Sequence, residues 1–307
     1  MGVSPRRTVS VIVPTRNRPE LLVRALRSIT GQRYEGHVEA VVVFDQSPPH
    51  PIELDIPEDR SLRVIVNGRS PGLAGARNAG CAEASGTLLA FCDDDDEWLP
   101  DKLARQVELL EAEPTAEVAS CGVFVHYGDR ITARVSRHRT LSLRQLLRSR
   151  NVEFHPSTFL VGREAFLHGI GPVDEAIPGS YAEDYDWLLR AARRAPIVTV
   201  QAPLVRVHWH ASSYFEGRWR TIAEALRYLV ARHPEFAAEP KGLARIYGQI
   251  AFAEAAAGET TTARTTARRA LSLNPCERRA ILALAVSTGL LRPDTVLRAA
   301  HAEGRGI

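Results

Sequence analysis

No two of the four cysteines, Cys81, Cys92, Cys121 and Cys276, form a CxxC pair. Their wide spacing supplies neither a zinc site nor a disulfide framework. They read as free, small apolar side chains in a reducing compartment. No apolar run approaches the roughly 18 residues that a membrane-spanning helix needs. Residues 1–7 carry no signal-type apolar stretch, because the run at 9–13 is short and ends at Pro14. A cytoplasmic protein is expected, with peripheral membrane contact left open. Excess charge of one sign is scarce too. The net charge is +3 and the basic residues are scattered, so no nucleic-acid partner is expected. Neither a Gly-x-Gly-x-x-Gly turn nor a P-loop Gly-Lys-Ser/Thr occurs, which argues against a nicotinamide cofactor or an ATPase.

What is present is ordinary in bulk. Hydrophobic residues make up 45% and charged ones 24% of 307 residues, the composition of a globular protein of one large domain or two smaller ones. The β-branched run at 9–13 predicts a buried strand. Pro19 then fits the first turn of a helix, with Leu21, Leu22, Ala25, Leu26 and Ile29 on one face and Gly31 at its end. Strands are predicted at 39–44, 62–66, 87–92, 118–125, 157–161, 197–200 and 204–208. Helices are predicted at 73–85, 101–113, 141–149 and 183–194. This alternation is that of an α/β fold with a mostly parallel central sheet flanked by helices. Near Trp219 the character changes. The rest is rich in Ala, Arg and Leu, with helices predicted at 221–233, 241–257, 260–273 and 276–290. The stretch 253–275 resembles one tetratricopeptide unit, and a helical cap is the simpler reading. The expected division is 1–218 and an all-α region, 219–307.

The feature with most to explain is the run Asp93-Asp94-Asp95-Asp96-Glu97 after an apolar strand. Two carboxylates 4 Å apart repel by about 1 kcal/mol in water and by several times that near a protein surface. A hard divalent cation, Mg²⁺ or Mn²⁺, would offset this and leave positions open for phosphate oxygens. A solvated acidic loop is the plain alternative. The run sits where a strand leaves the sheet, the edge at which open α/β sheets bind ligands. Arg77-Asn78 follows glycines at a helix start, where backbone N–H groups and a guanidinium favour phosphate.

Taken together, Val-Ser-Val-Ile-Val-Pro-Thr-Arg-Asn-Arg at 9–18, Asp45, the 72–80 Gly…Ala-Arg-Asn-Ala-Gly stretch, the acidic run, Glu183-Asp184 and Arg206-Val207-His208 resemble the family-2 glycosyltransferases of the GT-A fold. The resemblance covers about 9–210. It implies a metal-dependent, inverting transfer of a sugar from a UDP- or dTDP-sugar to an acceptor hydroxyl. The acceptor could be a glycan, a lipid-linked molecule or a small molecule. It places Pro14, Thr15 and Arg18 along base and ribose, and Asp45 on the imide N–H of a pyrimidine. The second acid often found there is Gln46 in this chain. Arg77 and Asn78 fall on the phosphates, and Asp93 and Asp94 on the ribose side. Asp95 becomes the main metal ligand, with Asp94 or Asp96 as register alternatives. His208 becomes a further ligand, with His210 as its alternative. Asp184 becomes the general base, with Glu183 as runner-up. His155-Pro156-Ser157 matches a stretch near the acceptor pocket, and Trp98 stacks on sugar or packs under the loop. Two other readings remain: a sugar nucleotidyltransferase, disfavoured by the glycine-free loop at 15–19, and a nucleotide-binding scaffold without turnover.

Overall fold

The computed structural model describes residues 7–150, 153–209 and 217–302. The chain divides into two compact units. Met1–Leu143, Asn151–Glu175 and Asp184–His208 form the first; Arg144–Arg150, Ala176–Glu183 and Trp209–Ile307 form the second.

The first unit is a twisted mixed sheet with helices. In chain order its elements are β1 (Val9–Thr15), α1 (Pro19–Thr30), β2 (Val38–Phe44), β3 (Arg60–Val66), α2 (Leu73–Glu83), β4 (Leu88–Phe91), β5 (Glu97–Trp98), α3 (Lys102–Ala112), β6 (Val118–Tyr127), β7 (Arg130–Arg134) and β8 (Thr140–Leu141). Beyond α4 (Leu143–Arg148), which falls in the second unit but for its first residue, come β9 (Leu160–Gly162), α5 (Glu183–Arg194) and β10 (Ile197–His208). The strand order is β3-β2-β1-β4-β9-β6-β10-β5, with β7 on β6 and β8 on β10. Pairing is parallel across β3-β2-β1-β4 and between β6 and β10, and antiparallel elsewhere. Every residue of β1 and β2 is buried, as parallel strands covered on both faces must be. Of the predicted face of α1, Leu22, Ala25, Leu26 and Ile29 are buried and Leu21 is half-buried. Helix α2 lies so close to the sheet that a Cβ on Gly80 would stand 2.6 Å from Ile12 Cγ2.

Three local outcomes differ from the periodicity. The strand predicted at 157–161 starts later, because Pro156–Thr158 is a 3₁₀ turn. Pro156 takes its first position, and Thr158 and Phe159 bond back to His155 and Pro156. The strands predicted at 197–200 and 204–208 are one strand, β10, whose register slips around Pro203, a residue with no N–H to give the ladder. Glu97–Trp98, read as loop, pairs antiparallel with β10.

The second unit is helical beyond residue 217: α6 (Trp219–Arg232), α7 (Pro240–Ala256), α8 (Thr260–Leu273), α9 (Arg278–Ser287) and α10 (Pro293–Ala302). Helices α7 and α8 form a hairpin whose turn has Gly258 at φ +82°, a value costly for any side chain. Its interior is largely alanine: Ala251, Ala263, Ala267, Ala270, Ala280 and Ala283 are buried, which lets helix backbones approach closely. Among the described residues no helix is long and apolar enough to cross a membrane.

Candidate active site

Parallel strands β2, β1 and β4 bring three loops to one edge of the sheet: Asp45 after β2, Thr15 to Arg18 after β1, and the acidic run after β4. The run is a tight turn, closed by the Asp96 N–H donating to the Asp93 carbonyl at 3.0 Å. That turn sends its two inner carboxylates, Asp94 and Asp95, one way and its outer pair, Asp93 and Asp96, another. Asp94 accepts from Thr15 Oγ1 at 2.8 Å and from Arg18 Nη1 at 3.2 Å. Arg18 Nη1 also donates to Asp95 Oδ2 at 2.9 Å. Asp93 accepts from Arg77 Nη2 at 2.7 Å. Asp96 accepts from Ser157 Oγ at 2.5 Å, and the same hydroxyl accepts from the Asp93 N–H at 3.0 Å.

His155 closes the second group. Its Nδ1 is 3.2 Å from Asp96 Oδ2 and its Nε2 is 3.7 Å from Asp93 Oδ2. One ligand atom each from Asp93, Asp96 and His155 lies within 4.8 Å of the other two. Two carboxylates and an imidazole are a donor set suited to a divalent ion of the Mn²⁺ type. The three residues therefore fit a cation.

The acids are electrostatically unequal. Burial would raise the Asp93 carboxyl, but Arg77 and then His155 outweigh it and hold it below the usual range. Burial, reinforced by Asp93 and Asp95, pushes Asp96 well above that range despite the Ser157 hydroxyl and the His208 backbone N–H. Burial, opposed by the Thr15 hydrogen bond and helped by Asp95, pushes Asp94 up to about 6. Burial keeps His155 below the usual imidazole value against the pull of Asp93 and Asp184.

The other expected residues fall as follows. Pro14 is buried in β1 opposite Val43. Asp45 is 8% exposed and accepts from Gln46 Nε2 at 2.9 Å, Asn67 Nδ2 at 2.8 Å and the Gly72 N–H at 3.0 Å. Asn78 uses its whole amide on the loop before α5: Nδ2 donates to the Val173 carbonyl and to Glu175, and Oδ1 accepts from the Val173 N–H. Glu183 and Asp184 are both buried at the start of α5. His208 Nε2 lies 2.9 Å from Glu97 Oε1, and Arg24 and Arg206 face the same carboxylate at 3.2 and 3.7 Å. Ligation by Asp95 and His208 would require Arg18 and Glu97 to release them. His210 lies outside the described residues. Trp98 is buried, with Lys102 Nζ 3.6 Å from its ring centre, so it packs under the loop. Sequence reasoning gave Ser157, Arg24 and Asn67 no separate role. The His155-Pro156-Ser157 match held the signal for Ser157. Arg24 looked like any surface arginine of an amphipathic helix.

Comparison with known proteins bears on the family and the fold. Residues 10–169 match the glycosyl transferase family 2 description. A Haemophilus influenzae protein described as an uncharacterized glycosyltransferase is 28% identical over 186 residues, 59% of this chain and 61% of that protein. An Escherichia coli UDP-Glc:alpha-D-GlcNAc-diphosphoundecaprenol beta-1,3-glucosyltransferase is 30% identical over 102 residues, 33% of this chain and 40% of the enzyme. The chain thus spans less than two thirds of either relative. Among solved structures, S. aureus TarS 1-349 in complex with UDP-GlcNAc superposes with a TM-score of 0.61 at 16% identity, covering 97% of this chain and 92% of that one. The mannosyltransferase PcManGT from Pyrobaculum calidifontis, in complex with GDP-Man and Mn²⁺, superposes at 0.56 and 20% identity, covering 96% and 85%. At such identities these two speak for the GT-A fold. With the family match covering more than half of its length, the chain belongs to glycosyl transferase family 2.

Proposed function

We propose that the protein is a metal-dependent, inverting glycosyltransferase that uses a UDP- or dTDP-sugar. The observation that carries the reading is the meeting of Arg77 and the Asp93–Asp96–His155 group at the sheet edge that also holds Asp45. Asp45 would take the base and Thr15 and Arg18 the nucleoside. Arg77, already on Asp93, would share its guanidinium with the diphosphate. Asp93, Asp96 and His155 would hold Mn²⁺ or Mg²⁺, the imidazole favouring Mn²⁺, with Asp95 next along the run. Such a cation supplies charge stabilisation to a departing diphosphate.

Asp184 would act as general base, accepting the acceptor hydroxyl proton as that oxygen bonds to the sugar C1 and the C1–diphosphate bond breaks. Attack from the face opposite the leaving group inverts the anomeric centre. Glu183, one residue before it, is the second candidate. The acceptor belongs to the glycan, lipid-linked or small-molecule classes, and a cytoplasmic location fits a nucleotide-sugar donor.

The test is release of nucleoside diphosphate from a panel of UDP- and dTDP-sugars, with and without Mn²⁺, in wild type and Asp184→Asn. Metal-stimulated release that the variant loses, while it still binds UDP, supports the reading. Release unaffected by the substitution removes Asp184 as the base. UDP binding without any release or transfer across the panel moves weight to the nucleotide-binding scaffold.

A further inference from the structure

Helices α8 and α9 of the second unit turn unlike faces to solvent. On α8 the exposed positions include Thr261, Thr265, Arg268 and Ser272, spaced by three and four residues, the polar face expected of a helix packed on one side only. On α9 the buried positions are Ala280, Ala283, Val286 and Ser287. At 3.6 residues per turn the opposite face carries Arg278, Ile281, Leu282 and Ala285. After its first residue that face is apolar. Ile281 is 51% exposed, and Leu282 and Ala285 are half-buried.

The strip continues past the helix end. The Gly289 N–H donates to the Val286 carbonyl and the Leu290 N–H to the Ala285 carbonyl, both at 3.0 Å, with Gly289 at φ +79°. This pair of bonds is a Schellman cap, which fixes the path of the chain as it leaves α9. The residue after the glycine of such a cap commonly packs back on the helix. Here Leu290 is 79% exposed and Leu291 37%. Arg292 follows and is exposed as well. Charge singles out the same region. Residues 260–302 hold seven arginines against two acids, Glu277 and Asp294, an excess of five positive charges in a chain whose net charge is +3. The remainder of the chain is therefore slightly acidic.

We propose that the outward face of α9 and the Leu290–Leu291 turn form a docking surface for an anionic phospholipid bilayer. Isoleucine and leucine would enter the boundary between headgroups and acyl chains, and the guanidinium forks of Arg278 and Arg292 would take phosphate oxygens. The convex face of a helix gives a peptide neither a groove nor a free strand edge. A second copy meeting the same face about a two-fold axis would bring two sets of arginines of like charge together. A bilayer carries the opposite charge and needs no groove.

The experiment is cosedimentation of the full chain with vesicles of phosphatidylcholine alone and of phosphatidylcholine mixed with phosphatidylglycerol. It compares wild type with two double variants, Leu290→Ser with Leu291→Ser and Arg278→Glu with Arg292→Glu. All four side chains are exposed, so both variants should keep the wild-type circular dichroism. At low salt, at least fivefold more wild-type protein is expected on the anionic vesicles than on the neutral ones, and the difference should shrink as sodium chloride is raised. Each folded variant is expected to lose anionic association at least fivefold, the first by removing inserted apolar surface and the second by reversing charge. Equal association with the two vesicle types, no association, or undiminished association of either folded variant overturns the proposal. Wild type that stays off vesicles but dimerises through the two leucines in light scattering gives the face to a second copy instead. Vesicle association needs no nucleotide, so its outcome is independent of the donor-site reading.

Discussion

Buried polar groups serve different ends in the two units. In the helical unit several close ion pairs or caps. Glu254, 1% exposed, pairs with Arg227, and Glu277 caps α9 by accepting from the Arg279 N–H. The remaining interior is alanine and a few larger apolar side chains. In the sheet unit the buried polar groups converge on one edge and are not equivalent. Asp93 is held below its usual pKa and Asp96 well above its own, although both touch Ser157 and His155. The Arg77 guanidinium, which donates to Asp93, heads the charges that hold Asp93 down, while Asp93 and Asp95 push Asp96 up. Buried ionisable groups that are pushed apart in pKa are characteristic of a working site. A buried ion pair or a cap is characteristic of a scaffold.

The sharpest test of this contrast is Asp184→Asn. It should lower sugar transfer by about 10³-fold, or roughly 4 kcal/mol of barrier, with UDP affinity within twofold of wild type. Loss of folding instead would assign Asp184 to the scaffold. Lys102→Met probes a buried charge of the sheet unit that has no hydrogen-bond partner among the described residues. Burial pushes the Lys102 ammonium down to about 8 from 10.5, a little offset by Cys121 and Cys92. Below about pH 8 the lysine is protonated in folded and unfolded chains alike, and the full burial penalty applies. Between about 8 and 10.5 the unfolded chain keeps a proton that the folded one has lost, so wild-type stability rises with pH. Lys102→Met should therefore stabilise the protein at pH 7 by up to ~3 kcal/mol, less the cation–π contact with Trp98, and the gain should shrink toward pH 10 in denaturant titrations.

Ala263→Leu works from the other side. It overfills the helical core, where Ala263 is fully buried, and should cost about 1–3 kcal/mol in thermal unfolding while UDP affinity stays unchanged. A fall in affinity would make the helical unit part of the donor site. Thr15→Val should have the smallest effect. It removes the hydrogen bond to Asp94 and should cost about 1 kcal/mol in stability, with a modest weakening of UDP binding measured in the same titration.

Much of the sheet unit was legible before any coordinates. Apolar runs ending in Pro14, Asp45 and Cys92, the first two rich in β-branched residues, mark strands whose ends carry polar loops, and the apolar stripe of α1 marks its buried face. What those patterns could not convey was pairing. Glu97–Trp98 is a strand only because β10 lies beside it, and Arg206 there supplies the opposite charge. Glu39, inside a predicted strand, is buried and accepts from Ser10 and Ser85, partners that its own strand does not reveal. The acidic run was conspicuous, and its division was hidden. Sequence treats Asp93 to Asp96 as near-equivalent, whereas the turn points Asp94 and Asp95 at Arg18 and leaves Asp93 and Asp96 with His155, about sixty residues downstream.

By itself, then, the sequence determined the kinds of chemistry available: carboxylates at a strand end, a glycine-rich helix start bearing Arg77 and Asn78, an acidic pair opening α5, and an alanine-rich helical tail. These depend on local period and residue type, which the chain carries along its length. Which carboxylate faces the arginine, which histidine joins the acids, and which amides fill the lone pairs of Asp45 were decided by the tertiary structure. Each depends on residues brought together across tens of positions by strand order and loop closure, and on burial that no local pattern encodes.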